Sequence, residues 1–200
     1  MGMTHPQSGY AQSVSASSTT NVEQLQRIVR TTVEKVVQAA GFQPGVRLRI
    51  RSMQDENSWL VDQSIQEVLI SHGITVIMDN HGDSAGVEGY LDIIPVHLGV
   101  RYLPAFRDGL FGTAYAPRIV EGKFATSVVW KNGTVHSATT YTEAVTDTIA
   151  VSVLASIEHP TYRAARGEPP ASGFLDSLLE PIVIIGTLAV AVYLLFTVRS

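Results

Sequence analysis

The sequence predicts an α/β domain, a small mixed-sheet sandwich, followed by one C-terminal transmembrane helix. Three observations predict it. A strand, a helix and a strand follow one another with short links between Val46 and Met78, the βαβ pattern that calls for parallel strands and a right-handed crossover. A long alternating stretch and an Asn-Gly turn between two strand-like runs come next. Pro181 to Val198 is an uncharged apolar run, about 27 Å long as a helix and close to the hydrocarbon thickness of a bilayer.

Taken in order, Met1 to Thr20 is rich in Ser, Thr, Gln and Gly and is expected to be a disordered tail. It lacks the basic start and apolar core of a signal peptide, although Gly9-Tyr10-Ala11 has the small residues of a signal-peptidase site. With an upstream start codon, residues 1–11 would be a leader remnant. Thr20-Asn21-Val22-Glu23 forms a capping box, and Leu25, Ile28, Val29, Val33, Val36 and Val37 recur behind it at helical spacing up to Gly41. Val46, Leu48 and Ile50 then alternate with Arg47, Arg49 and Arg51, which predicts a half-buried strand with one basic face. Ser58 to His72 carries Val61, Ile65, Val68 and Leu69 on one helical side, and Ile74 to Met78 is expected as a buried strand.

Beyond the loop Asp79 to Ser84, Tyr90 to Leu103 alternates, with Pro95 marking an edge or a bulge. Residues 104–122 hold Pro and Gly and are expected to form a mobile excursion. Lys123 to Trp130 and Thr134 to Glu143 flank Lys131-Asn132-Gly133 as a hairpin. A closing helix is expected from Asp147 to about Ile157, ending before Pro160, with helices covering one face of the sheet. The domain organisation is thus a tail over 1–20, an α/β domain over 21–160, a linker over 161–173 and an anchor over 174–200 with its span at 181–198. In that anchor Pro181 opens the span, Tyr193 and Phe196 suit the interface, and Arg199 can reach the headgroups.

The composition narrows the function. A formal net charge of −4 argues against nucleic acid as a partner, because such binders present a basic face. With no cysteine, thiol catalysis, thiolate metal sites and a lipidated cysteine anchor are excluded. No cofactor is expected, since neither a Gly-x-Ser-x-Gly elbow nor a Gly-rich phosphate loop is present. Asp79, His81 and Asp83 alternate in a loop at the end of a parallel strand, where α/β sites commonly lie; they could hold a divalent metal or do acid–base work, and the same residue types also simply form loops. Arg47, Arg49 and Arg51 leave one face of a strand about 7 Å apart and are the candidate partner-binding residues, for an acidic protein surface or for anionic headgroups and glycans.

A βαβ start, a long amphipathic strand, a Gly-bearing hairpin and a closing helix, over Val46 to Glu158, resemble the small envelope domains of the curli-secretion protein CsgG, the lipoprotein LpoB and the N-terminal domain of TolB. The resemblance implies a bacterial periplasmic domain that acts through protein contacts. Unlike the two lipoproteins, this chain has no lipobox cysteine and would use a C-terminal span. Its ending, Leu178-Leu179-Glu180-Pro181 through Tyr193-Leu194-Leu195-Phe196 to Ser200, is similar to the tails of uncharacterised bacterial envelope proteins.

The expected function is a non-enzymatic, membrane-tethered envelope domain, a scaffold or assembly factor with the bilayer and an unidentified envelope protein as partners. Arg163 and Arg166 precede the span and Arg199 follows it, so the charge rule leaves orientation open; the resemblance favours the inner membrane with the domain in the periplasm. Two alternatives stand beside this reading: a membrane-bound enzyme or metal-binding protein using Asp79, His81 and Asp83, and a cytoplasm-facing tail-anchored adaptor. Oligomeric state is open.

Overall fold

The computed structural model describes residues 19–51, 58–77, 86–109, 112–171 and 174–197, with the side chains of 174–183 and of Phe196 left aside. The tail, Met78 and the Asp79-His81-Asp83 loop lie outside the described residues. Helix α1 (Asn21–Ala40) begins where the sequence places it. Thr20 Oγ1 accepts from the Glu23 N–H at 3.3 Å, and the Glu23 carboxylate accepts from the Thr20 N–H at 2.8 Å, so two otherwise orphaned donors are satisfied. Strand β1 (Arg47–Arg51), helix α2 (Ser58–Ser71) and strand β2 (Thr75–Ile77) then form the βαβ unit, with β1 and β2 parallel in the register Leu48 to Val76. The second strand is half-buried rather than buried: it is a sheet edge three residues long.

Strand β3 (Gly89–Tyr102) runs parallel to β1 and antiparallel to β5 (Ala114–Trp130). Its register slips between Pro95 and His97, the bulge that a proline without an N–H invites. A two-residue strand, β4 (Phe106–Arg107), pairs with the start of β5, and β6 (Val135–Ala150) pairs along the other side of β5. The sheet order is β2-β1-β3-β5-β4, with β6 beside β5. Gly133 closes the β5–β6 hairpin at φ 85°, with the Thr134 N–H donating to Asn132 Oδ1 at 2.9 Å, a left-handed position at which a side chain would be strained.

Two expectations fail on the same strands. Residues 114–122 are not an excursion: Ala116, Arg118, Val120, Phe124 and Val128 continue one buried row of β5. The closing helix expected from Asp147 is strand until Ala150; a single 3₁₀ turn and the short α3 (Leu154–Ile157) follow. Val145, Thr146, Thr148 and Ile149 are β-formers that β5 can pair, and that pairing outweighs an apolar spacing that also fits a helix.

The described core lies between the sheet and α1 with α2. Leu91, Ile93, Val120, Phe124 and Val128 face Leu25, Ile28, Val29, Val33, Leu60, Ile65 and Leu69, all essentially buried; full burial of each such side chain contributes roughly 1.5–3 kcal/mol. The opposite face of the sheet carries Tyr90, Asp92, Ile94, Glu121, Ala125 and Ser127, all part-exposed, with no described helix over it.

The segment expected to serve as a linker packs on the domain. Ala165 is buried, the Arg166 Nε–H donates to the His159 carbonyl at 3.1 Å, and the Ala105 N–H donates to the Ala171 carbonyl at 3.1 Å. Tyr162 stacks against Trp59 of α2 with ring centroids 4.7 Å apart. Beyond it, α4 (Phe174–Thr197) is a 24-residue helix. Among the described residues no helix is long and apolar enough to cross a membrane, so the transmembrane helix expected over Pro181 to Val198 is not supported. Continuous described side chains run only from Ile184 to Leu195, roughly 18 Å of helix.

Candidate interaction surface

The basic stripe does not stand as three free cations. Arg49 is buried, at 7% exposure. Arg51 gives Nε and Nη2 to the two Asp92 oxygens, both at 2.7 Å, and its guanidinium lies 4.9 Å from the Tyr90 ring centroid. The Ser127 hydroxyl completes that carboxylate at 2.6 Å. These side chains come from β1, β3 and β5, and the pairings Arg51 to Asp92 and Asp92 to Ser127 set them side by side on the open face. Arg47 is exposed and lies over Gly86.

The open face ends in a cleft of about 510 Å³ between the end of β3 and residues 161–171, which lie on the domain as a strap; it is lined by His97, Arg101, Tyr102, Glu121, Glu168 and Pro169. There His97 Nε2 stands 3.4 Å from Glu121 Oε1. Among the described residues no three His, Asp or Glu side chains converge as metal ligands. Asp79, His81 and Asp83 lie outside them.

The most tightly built polar cluster sits on the other face, beneath the first turn of α1. Arg118 of β5 is fully buried. Its Nε donates to Asp147 Oδ1 at 2.8 Å and its Nη2 to Asp147 Oδ2, while Nη1 donates to the Thr19 carbonyl at 2.9 Å and to Asn21 Oδ1 at 2.8 Å. Asn21 Nδ2 in turn donates to the Tyr102 hydroxyl at 2.8 Å and to the Ala165 carbonyl at 2.9 Å. Burial pushes the Tyr102 phenol up to about 12; the hydrogen bond from Asn21 opposes the shift and nearby Glu158 adds to it. One connected cluster thus ties helix, sheet and strap. Sequence reading missed it because a lone Arg in a Pro- and Gly-bearing stretch looks like a surface residue. The signal was there: Ala116, Val120 and Phe124 keep period two through Arg118.

On α4, Tyr193 is 68% exposed, and its carbonyl accepts from the Thr197 hydroxyl at 2.7 Å. Ile184, Ile185, Leu188, Leu194 and Leu195 are also exposed. The side chains of Pro181 and Phe196, and Arg199 altogether, lie outside the described residues.

No family model matches the chain, and no curated protein matches it. Among solved structures, the rare lipoprotein B from Shewanella oneidensis is similar at 15% identity over 77% of this chain and 94% of that one, with a TM-score of 0.32. A homolog of the neuraminyllactose-binding hemagglutinin from Helicobacter pylori is similar at 11% identity over 54% of this chain and 65% of that one, with a TM-score of 0.33. The first is an envelope lipoprotein; neither structure bears on the resemblance to CsgG or to TolB. At these TM-scores the likeness is weak, and it carries no argument about what this chain binds or does.

Proposed function

We propose that this chain is a non-enzymatic domain of the bacterial cell envelope, tethered to the inner membrane by α4 and acting on another envelope protein from the periplasmic side. The observation that carries the tether is the run of exposed apolar side chains on α4, among them Ile184 at 61%, Ile185 at 66%, Leu188 at 65% and Leu195 at 66%. Water does not favour such a surface, and a bilayer or a partner covers it. The contact role falls to the open sheet face, with Arg47 and Arg51 at its rim and Arg49 buried between them.

Membrane fractionation tests the tether. The full chain is expected in the membrane fraction and resistant to alkaline extraction. A chain ending at Ala171 is expected to be soluble and folded, because the strap closes on the domain before α4 begins. A full chain that stays soluble overturns the tether. An alkaline phosphatase fusion tests orientation: activity at the domain end supports the periplasm, and its absence transfers the reading to a cytoplasm-facing adaptor.

A further inference from the structure

The sheet treats its edges unequally. Strand β2 is three residues long and β4 two, and the open side of β3 carries Pro95 and its bulge and is flanked by the strap. Short strands, bulges, prolines and cover are the ordinary protections against edge pairing. Strand β6 is long and free of proline, and its register slip against β5, past His136, lies at its very start. It runs for 16 residues, and among the described residues it pairs only with β5. It contains no Lys, Arg, Pro or Gly and is dominated by Thr, Val and Ala. Thr140, Thr142, Ala144 and Thr146 are exposed.

We infer that β6 is a self-association edge, and that two copies of this chain join antiparallel along it into one continuous sheet. The argument for a second copy is symmetry and charge. An antiparallel edge offers its own donors and acceptors back to itself, so a two-fold axis pairs it without a second sequence. On such an axis one residue faces its own copy. Only Glu143 and Asp147 are acidic on this strand, and each already holds a cation of its own chain, Lys35 at 2.5 Å and Arg118. Centring the axis on Glu143 would set two carboxylates opposite each other, which destabilises a sheet. Centring it on Thr142 sets Thr142 against Thr142, Tyr141 against Glu143 and Thr140 against Ala144, with no like charges facing. That register also uses nearly the whole strand. The axis stands perpendicular to the sheet, so both open faces point the same way.

This inference does not rest on the tether, and its test separates the two. The chain has no cysteine, so a single introduced one reports position cleanly. The experiment uses the full chain in detergent micelles, with mass from light scattering and disulfide formation under mild oxidation. Thr142→Cys is expected to cross-link to itself, because directly opposed Cα atoms lie about 4.5–5.5 Å apart. Thr140→Cys mixed with Ala144→Cys is expected to cross-link more than either alone. Thr140→Lys with Ala144→Lys is expected to weaken dimerisation at least tenfold with an unchanged circular dichroism spectrum. Thr140→Glu with Ala144→Lys, which pairs opposite charges across the axis, is expected to restore it. A monomer at tens of micromolar overturns the inference. A dimer that neither cross-links through Thr142→Cys nor responds to the paired lysines overturns it too, and assigns association to α4.

Discussion

Arg118 and Asp147 stand directly opposite each other on β5 and β6, and the buried guanidinium grips the carboxylate with two nitrogens. Arg118 is fully buried, whereas the Asp147 side chain keeps 20% of its surface. Removing one partner of such a pair leaves an uncompensated charge, which costs about 3–5 kcal/mol, while replacing both by apolar groups of similar volume is far milder. Asp147→Ala is therefore expected to lower unfolding stability by about 3 kcal/mol. Arg118→Met with Asp147→Leu together should cost less than Asp147→Ala alone. Urea unfolding of the three chains checks it; equal losses would mean that Asn21 and the Thr19 carbonyl hold Arg118 without the carboxylate.

Tyr102 gives the network a pH signature. Its phenol is raised to about 12 in the folded chain, against about 10 when unfolded. Between these values the folded state holds the proton and the unfolded state does not, so stability falls as pH rises. The contribution is fully present below about pH 10 and is lost by about pH 12. The melting temperature of the wild type should drop across that window more steeply than that of Tyr102→Phe, which has no proton there to lose. Parallel slopes in a pH series would dismiss the role.

Gly167 is where the strap meets β3. A Cβ there would stand 2.6 Å from the Tyr102 ring and 3.2 Å from the Val100 carbonyl, and its N–H donates to Glu158 Oε1 at 3.1 Å. Overpacking of this kind costs about 1–3 kcal/mol. Gly167→Ala should lift the strap, and limited proteolysis should cut between Glu158 and Ala171 sooner than in the wild type. An unchanged cleavage pattern would mean that the Tyr102 ring simply rotates aside.

The arginines of β1 should separate by burial. Arg51→Gln changes an exposed pair with Asp92 and is expected to shift stability by about 0–1 kcal/mol. Arg49 is 7% exposed, so Arg49→Gln should cost more, about 1–3 kcal/mol. Denaturant titration of the two single variants decides it, and equal effects would place Arg49 in contact with water.

By itself the sequence determined the local elements whose signals are short-ranged. The capping box at Thr20 and Glu23, the helix ending at Gly41, the βαβ unit, the kink at Pro95 and the Asn132-Gly133 turn all follow from backbone chemistry within a few residues, and the structure has each of them. Tertiary structure alone decided three things. Asp147 to Ala150 is strand because β5 offers a ladder, although its spacing also fits a helix. Arg118 is a core residue because Asp147, Asn21 and Thr19, distant in sequence, converge to satisfy its guanidinium. The basic alternation of β1 became one buried, one paired and one exposed arginine because neighbouring strands set what lies beside each. Periodicity tells which side chains share a face; only the partners brought up by the fold decide whether that face meets water, and that is set by contacts no local pattern contains.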